Sequence, residues 1–258
     1  MKKSLIYIAD FSLPNMSAYA LHVLKMCDAF SELKYSVKLI LPYKESTYKY
    51  SKIKKEFLLK QSFEIISIFN KKIKFFFLTR FFFAFKILFY LKKKKINQIY
   101  SRSIIPAIIL SFFNYDVTLE LHTEMTGFTK FFFKLTNLEI FKKRLRIVVI
   151  NKNLIELLSI KNRNFLVVDD AVDTRDFKRT KVKVFKNTCF YSGSFVEGKG
   201  IEIIEKLANE LPNFNFHLYG NIKTYNGYRT SVFPKNMIFK GFITYEKLTK
   251  KINYYKIL

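Results

Sequence analysis

The sequence predicts an α/β protein with a doubly wound parallel sheet, and three features lead to that prediction. Short apolar segments alternate with longer segments in which apolar residues recur at helical spacing. Most of the short segments lack the apolar–polar alternation of half-exposed strands, which is typical of parallel strands covered on both faces. The chain has 258 residues, half of them apolar and 26% charged, so it can bury a sizeable core in one or two domains.

The first predicted strand and helix lie at residues 4–9 and 18–33, where apolar side chains of the helix recur every three or four positions. Further strands are predicted at residues 36–41, 64–69, 98–100, 117–121, 146–150 and 165–168. Further helices are predicted at residues 75–95, 104–113, 127–143 and 153–160.

A change in composition marks the expected boundary between two domains. Acidic residues cluster at residues 169–175, and a lysine-rich segment follows at residues 178–186. We therefore expect one domain in residues 1–170 and another in residues 171–258.

A βαβ unit is predicted in the second domain. An apolar strand at residues 188–191 ends at Gly193, and a polar turn leads through Lys199 and Gly200 into an amphipathic helix and a second strand. The turn places backbone N–H groups and a lysine at a helix N-terminus, where a phosphate is stabilised. An ordinary βα turn with a solvated lysine fits the same residues, since neither a Walker A loop nor GxGxxG is present.

Three segments resemble motifs of glycosyltransferase family 4 (the glycosyl transferases group 1 set), which has the GT-B fold. Gly193-Ser194 followed by Gly198-Lys199-Gly200 is similar to the family's donor-binding turn. Residues 167–177, VVDDAVDTRDF, resemble the interdomain signature IPNGVDTxxF, and residues 236–248 resemble NVxFxGxVxxxEL.

The resemblance implies a GT-B-like architecture for the two domains. Residues 1–170 would form the acceptor-side Rossmann-like domain, and residues 171–258 part of the nucleotide-sugar-side Rossmann-like domain. In the family, a later Glu-x7-Glu segment holds the ribose and sugar of the donor, and the sequence ends at Leu258 before that segment could occur. We therefore expect a truncated C-terminal domain, or a partner chain that supplies the missing part.

The resemblance also implies a reaction. A hexose-like unit would pass from a nucleotide-sugar donor to a glycan or lipid-linked acceptor, with retention at the anomeric carbon, in cell-surface polysaccharide synthesis. Cations and N–H groups near the departing diphosphate lower the barrier. The donor-binding residues implied here are Gly193, Ser194, Lys199 and Gly200, with Lys199 as the cation. Many relatives have arginine in place of Ser194, so one contact would be missing or supplied elsewhere.

Two N-terminal segments carry further site candidates. Glu120 and His122 in TLELHTE lie on one face of a predicted strand. By resemblance, His122 is the catalytic residue and hydrogen-bonds the sugar's hydroxyls; a histidine satisfied by backbone is the alternative. Ser17 and Ala18 replace the glycine pair of the family's acceptor and phosphate loop, although Ser17 also fits a helix N-cap. His22, within that helix, is expected to pack or to support the site.

Histidines and cysteines are few. The three histidines and two cysteines form no HExxH or CxxC motif, so the sequence predicts no metal site and no cofactor besides the nucleotide-sugar co-substrate. His217 is interpreted as structural. Cys27 and Cys189 indicate a reducing compartment. The first apolar segment is too short for a signal peptide, and we expect a cytoplasmic protein.

The net charge of +26 favours anionic partners such as lipid headgroups and nucleotide phosphates. Abundant Lys, Asn, Ile, Phe and Tyr also fit an AT-rich genome, which would make the charge incidental. The lysines are dispersed and no nucleic-acid-binding motif is present, so no nucleic-acid partner is expected.

An aromatic segment at residues 73–91, IKFFFLTRFFFAFKILFYL, is nearly long enough to span a bilayer. Lys74, Arg80 and Lys86 within it would be costly in the hydrocarbon, which argues against a spanning helix. A buried helix of the sheet layer and an interfacial helix remain as alternatives. Residues 131–133 are phenylalanines flanked by Lys130 and Lys134, which repeats this mixture of aromatic and cationic residues. We therefore expect peripheral contact with the anionic inner face of the membrane.

Two other functions fit the same features. A catalytically inactive GT-B-like domain could act as a scaffold that binds a partner glycosyltransferase or a membrane. A small α/β nucleotide-binding protein with another chemistry could also use the turn at Lys199. The absent glutamate segment favours the scaffold, and the intact Lys199-Gly200 turn favours donor binding.

Overall fold

The computed structural model of the protein describes residues 3–72, 77–92, 94, 96, 98–125, 127–138, 141, 143–160, 165–224 and 233–257. The chain divides into two compact units, unit 1 (Met1–Ala171) and unit 2 (Val172–Leu258). This division lies one residue from the predicted boundary between residues 170 and 171. Residues 73–76, 93, 95, 139–140 and 142, which belong to predicted segments, lie outside the described residues.

Unit 1 is built on a parallel sheet. Its strands are β1 (Ser4–Ile8), β3 (Ser36–Leu41), β5 (Glu64–Ser67), β6 (Gln98–Ser101), β7 (Val117–Leu121), β8 (Leu145–Val149) and β9 (Phe165–Val167). They pair in the order β5-β3-β1-β6-β7-β8-β9, and each of these pairs is parallel. Two short strands, β2 (Ser12–Leu13) and β4 (Tyr43–Lys44), pair separately. The strand order reverses between β1 and β6, which is the topological switch point of the sheet.

Helices connect the strands of unit 1. They are α1 (Ala18–Glu32), α2 (Tyr50–Glu56), α3 (Phe77–Leu91), α4 (Ile104–Phe112), α5 (Gly127–Leu135) and α6 (Asn153–Leu157). Helix α1 begins after Ser17, whose side chain accepts a hydrogen bond from the Ala20 amide. It ends where Lys34 takes a left-handed conformation, and the Tyr35 amide donates to the Phe30 carbonyl, as in a Schellman motif.

Apolar side chains cover both faces of the sheet. Ile6 and Ile8 of β1 pack in a cluster that includes residues of α3 and α4. Leu5 and Tyr7 of the same strand pack in a second cluster with residues of α1. All four are at most 3% exposed. Because alternate residues are buried on opposite faces, the strands lack apolar–polar alternation, and the predicted doubly wound α/β class is confirmed.

Helix α3 is buried on one side and exposed on the other. Its fully buried residues are Phe83, Ala84, Ile87 and Leu91. Its exposed apolar residues, between 42% and 70% exposed, are Leu78, Phe82, Phe85 and Phe89. Across the described part of the chain, none of the helices combines the length and the apolar content needed to cross a bilayer.

The helix predicted over residues 127–143 is shorter in the structure. Helix α5 ends at Leu135, because the amides of Thr136 and Asn137 donate to carbonyls three residues earlier. The Thr136 hydroxyl also donates to the Phe133 carbonyl. These local bonds replace the next helical turn.

Unit 2 contains a smaller parallel sheet. Strands β10 (Thr188–Ser192), β11 (Asn215–Tyr219) and β12 (Met237–Gly241) pair in chain order, and helices α7 (Ile201–Glu210) and α8 (Tyr245–Lys251) follow β10 and β12. The predicted βαβ unit is therefore present as β10-α7-β11. Its core contains Phe195, Ile201 and Leu218, each at most 1% exposed.

Candidate active site

Polar side chains gather where β7 ends, at the carboxyl edge of the unit 1 sheet. Ligands of open parallel sheets bind at this edge, close to the switch point. Glu120 is the penultimate residue of β7, and His122 follows the strand directly. Alternate residues of a strand point to the same face, so the two side chains lie together. Glu120 is only 4% exposed, and a buried carboxylate needs partners.

Glu120 has a histidine partner from each of two elements. Its Oε1 lies 2.5 Å from Nε2 of His122 and 2.8 Å from Nε2 of His22 on α1. The contact with His122 is a hydrogen bond. The contact with His22 is close, but Nε2 of His22 has no aligned hydrogen-bond partner among the described residues. The two imidazole rings pack edge to face, with centroids 4.6 Å apart.

A second carboxylate faces the other nitrogens of both rings. The two carboxylate oxygens of Asp170 lie 3.6 Å from Nδ1 of His22 and from Nδ1 of His122. These distances exceed those of hydrogen bonds, and the Asp170 side chain is 55% exposed. We call His22, Glu120, His122 and Asp170 the histidine cluster. Each of its imidazoles lies between two carboxylates.

Glu120 remains charged despite its burial. Burial alone would raise the pKa of this carboxyl, but the contacts with His122 and His22 and the charge of Arg102 outweigh burial and hold the pKa well below its usual range. Burial and the nearby Glu120 raise the pKa of Tyr7, whose hydroxyl lies 3.5 Å from Glu120 Oε2. The cluster therefore contains a carboxylate that is ionised throughout the neutral pH range.

A cavity of about 410 Å³ opens beside the cluster. Its polar lining comes from Tyr19, Arg102, Glu120, His122, Thr123, Glu124 and Thr129. The Arg102 guanidinium lies over the Tyr19 ring, 4.7 Å from the centroid, and its buried Nε has no hydrogen-bond partner among the described residues. A cation with an unused donor, beside hydroxyl groups, favours a ligand rich in oxygen.

The predicted acceptor and phosphate loop precedes α1. Ser17 and Ala18 are both exposed. The Ser17 hydroxyl accepts from the Ala20 amide at 3.2 Å, and the Ser17 amide donates to Asn15 Oδ1 at 2.8 Å. The N-cap interpretation of Ser17 therefore describes its contacts, while a role in ligand binding stays a prediction.

The predicted donor-binding turn lies in unit 2, between β10 and α7. Gly200 is the N-cap of α7 and has a left-handed conformation with φ 85°, which glycine adopts without strain. The Tyr191 hydroxyl lies 3.0 Å from the Ser194 carbonyl and 3.3 Å from the Lys199 carbonyl, so it ties the two ends of the turn together. The Lys199 side chain is exposed.

Some backbone donors of this turn are already used. The Gly193 amide donates to the Tyr219 carbonyl at 3.0 Å, and the Lys199 amide donates to the Val196 carbonyl at 3.2 Å. An anion here would therefore contact the Lys199 ammonium and the first amides of α7, which lack intrahelical partners. Glu202, in the first turn of α7, opposes such an anion.

The third histidine lies elsewhere. Nδ1 of His217, on β11, lies 2.9 Å from the Tyr255 hydroxyl. Burial, together with the charges of Lys240 and Lys251, lowers the pKa of His217. These contacts agree with the structural role expected for this residue.

No family model and no curated protein sequence matches the chain, but solved structures match nearly its whole length. A glycosyltransferase from Rickettsia africae ESF-5 matches with a TM-score of 0.68 at 13% identity, over 98% of this chain and 71% of that one. Sucrose-phosphate synthase from Thermosynechococcus elongatus matches with a TM-score of 0.70 at 10% identity, over 98% of this chain and 74% of that one. The fold is that of the GT-B glycosyltransferases. Anabaena HepE, solved in complex with UDP-glucose, also matches. Its TM-score is 0.67 at 10% identity, over 97% of this chain and 71% of that one. Identities this low establish a shared GT-B fold, which confirms the expected architecture and leaves the activity to be proposed.

Sequence reasoning missed part of the candidate site. Glu120 was noted only as a neighbour of His122, although an acid inside the apolar strand VTLEL signals a buried, partnered carboxylate. Arg102 directly follows β6 and belongs to no sequence motif that would mark it as a site residue. Nothing in the sequence joins His22 to His122, because α1 and β7 are far apart in the chain.

Proposed function

We propose that this GT-B protein transfers a sugar from a nucleotide-sugar donor to a glycan or lipid-linked acceptor, with retention at the anomeric carbon, as family 4 glycosyltransferases do in cell-surface polysaccharide synthesis. The observation that carries the proposal is the histidine cluster beside a polar cavity at the carboxyl edge of the unit 1 sheet. The match to HepE, solved with UDP-glucose, supports the choice of donor class.

In this proposal His122 positions the donor sugar. The hydrogen bond from Nε2 to the buried Glu120 fixes the ring, and Nδ1 is the nitrogen left for a sugar hydroxyl. Asp170 is 3.6 Å from that nitrogen and half-exposed, so it can yield its place to a ligand oxygen. His22 packs edge to face against His122 and limits its rotation. His122 therefore acts as an oriented hydrogen-bonding group rather than as a nucleophile.

The transfer step exchanges one bond to the anomeric carbon for another. The bond from that carbon to the diphosphate oxygen breaks, and the electron pair leaves with the nucleoside diphosphate. The acceptor hydroxyl forms the new bond on the same face, and its proton passes to the departing diphosphate. Negative charge develops on the diphosphate, and the proposed role of Lys199 is to stabilise that charge.

Donor binding can be tested at Lys199. We expect Lys199→Ala to weaken the binding of a nucleoside diphosphate such as UDP by about 1.5–3 kcal/mol, because a charge-assisted hydrogen bond is lost. Lys206→Ala is the matched control, since Lys206 is an exposed lysine on α7 and surface charges contribute little. Calorimetric titration at low ionic strength measures both. Equal affinity in wild type and Lys199→Ala would remove Lys199 from the donor site.

Catalysis can be tested at His122. We expect His122→Ala to lower the rate of sugar transfer from UDP-sugars, or of their slow hydrolysis, by about 100-fold, because the sugar loses an oriented partner. Affinity for the nucleoside diphosphate should stay near that of wild type. A wild-type chain that binds the diphosphate but neither transfers nor hydrolyses any nucleotide sugar would favour the inactive scaffold instead.

We also propose that the protein contacts anionic membrane surfaces through α3. Leu78, Phe82, Phe85 and Phe89 follow one another at intervals of four, three and four residues, so they form one apolar strip on the helix. Phe81 of α3 packs against Phe132 of α5, with centroids 5.0 Å apart. The net charge of +26 attracts anionic headgroups, while the phenylalanines enter the interface.

Vesicle sedimentation tests this contact. We expect binding to vesicles with anionic lipids, release by salt, and at least about threefold weaker binding after Phe89→Ser, because an interfacial phenylalanine is lost. Phe242→Ser is the matched control, since Phe242 is 59% exposed and lies in unit 2 while Phe89 is 70% exposed. Equal binding to neutral vesicles at high salt, or an equal effect of both substitutions, would argue against the α3 strip.

A further inference from the structure

Three potential metal ligands converge in the histidine cluster. One ligand atom from each of His22, Glu120 and His122 lies within 4.8 Å of the other two. Two imidazoles and one carboxylate form a ligand set that zinc uses in proteins. We propose that these three side chains bind a divalent transition-metal ion beside the unit 1 cavity. The sequence predicts no metal site, because the ligands come from separate segments and form no linear motif.

A carboxylate lies near the second nitrogen of each histidine, in the position where metal-bound histidines often have one. A metal-bound histidine usually donates its other N–H to a carboxylate, which fixes the ring orientation. Asp170 places one carboxylate oxygen 3.6 Å from Nδ1 of each ring, on the side away from Glu120. A metal ion would take the place of the proton that Nε2 of His122 donates to Glu120, which leaves the ring's remaining proton on Nδ1, the nitrogen beside Asp170.

The spacing of the ligands allows the ion to enter with small movements. The Glu120 oxygen is 2.5 Å from His122 Nε2 and 2.8 Å from His22 Nε2. Tetrahedral ligands about 2.0–2.1 Å from zinc lie about 3.3 Å apart, so the side chains must separate by less than about 1 Å. His22 Nε2 has no aligned hydrogen bond to lose among the described residues.

The surroundings indicate which ions fit. Imidazole ligands favour zinc, nickel, copper or cobalt over magnesium and calcium, which prefer oxygen. The cavity provides a position for a water or ligand oxygen as fourth ligand. Arg102, whose charge acts on Glu120, competes with the ion and limits its affinity. This proposal does not depend on sugar transfer by the protein.

Metal titration of the full chain, after removal of bound metal by a chelator, tests the site. We expect one Zn²⁺ per chain by calorimetry, and visible absorption bands of four-coordinate Co²⁺. His22→Gln and His122→Gln should each weaken Zn²⁺ binding at least about tenfold, because each removes a ligand. His217→Gln is the matched control and should bind as wild type, since His217 contacts Tyr255 in unit 2.

Further variants keep the test decisive if a ligand substitution disturbs folding. Asp170→Asn changes a half-exposed residue and should weaken Zn²⁺ binding about tenfold, as expected for an outer contact. Cys189→Ser should have no effect, because the partly buried thiol is not a ligand. The proposal is overturned if wild type binds no stoichiometric Zn²⁺. It is also overturned if correctly folded His22→Gln and His122→Gln bind it as tightly as His217→Gln.

Discussion

The histidine cluster of unit 1 and the Lys199 turn of unit 2 are constructed in different ways. The cluster surrounds a carboxylate that is 4% exposed and takes side chains from α1, from β7 and from the segment after β9. The turn is continuous in sequence, and Tyr191 holds its backbone while the Lys199 side chain is exposed. Tertiary packing thus orders the cluster before any ligand binds, whereas an anion would have to order the lysine of the turn.

This difference has consequences for stability. A buried ion pair that loses one partner leaves an uncompensated charge, which is costly. An exposed lysine contributes little to folding. Substitutions in the cluster should therefore lower both stability and activity, and those at exposed positions of the turn should change ligand binding alone.

The largest effect is expected at Glu120. We expect Glu120→Gln to lower the free energy of unfolding by about 3 kcal/mol, because Arg102 loses its buried counter-charge and His122 loses a hydrogen bond to a carboxylate. Urea unfolding followed by circular dichroism measures it. Glu124→Gln, at a 46%-exposed carboxylate lining the same cavity, should change stability by less than about 0.5 kcal/mol. Similar losses of unfolding free energy in both variants would show that the cluster is no more ordered than the surface.

A backbone contact is expected to give the next largest effect, in unit 2. A Cβ at Gly220 would lie 2.2 Å from the Gly193 carbonyl oxygen, so we expect Gly220→Ala to cost about 2 kcal/mol through overpacking. Gly241→Ala has free space around its Cβ and should cost only the strain of a left-handed backbone, about 1 kcal/mol. Thermal unfolding compares the stability of the two variants. A smaller loss of stability in Gly220→Ala than in Gly241→Ala would mean that the turn at Gly193 is readily displaced.

The pH dependence of stability isolates the charge of Glu120. Its pKa is lower in the folded than in the unfolded chain, so its stabilisation is present above the unfolded pKa and is lost as the pH falls. Below about pH 4, this one group should remove up to about 1.4 kcal/mol of stability per pH unit. Unfolding curves at several pH values should show that the free energy of unfolding of Glu120→Gln approaches that of wild type at acidic pH. A constant difference across pH would exclude an ionised Glu120 as the cause.

The smallest effect is expected at the N-terminus of α7. Glu202→Gln should strengthen nucleoside diphosphate binding by about 0.3–1 kcal/mol, because a negative charge leaves the first turn of the helix. Glu205→Gln, one turn further along α7, should have less effect, since the influence of the helix N-terminus fades after one turn. Calorimetric titration at low salt distinguishes them, and equal changes would place the anion away from the helix N-terminus.

The sequence by itself determined the elements whose signals are local. Apolar runs without alternation predicted parallel strands, and the order of Gly193, Lys199 and Gly200 between two such runs predicted the βαβ unit that the structure contains. Helical spacing predicted α5 but not its end at Leu135, because the local hydrogen bonds made by Thr136 compete with one more helical turn.

Only the tertiary structure decided how the candidate site is assembled. The parallel order of β1, β6 and β7 brings His22 and Asp170 to His122 around Glu120, and no periodicity along the chain encodes such distant contacts. It also decided that the Gly193 amide donates to Tyr219, because that bond requires the neighbouring strand. Local patterns follow from backbone geometry and side-chain burial, whereas a polar cluster depends on which strand ends the fold places side by side.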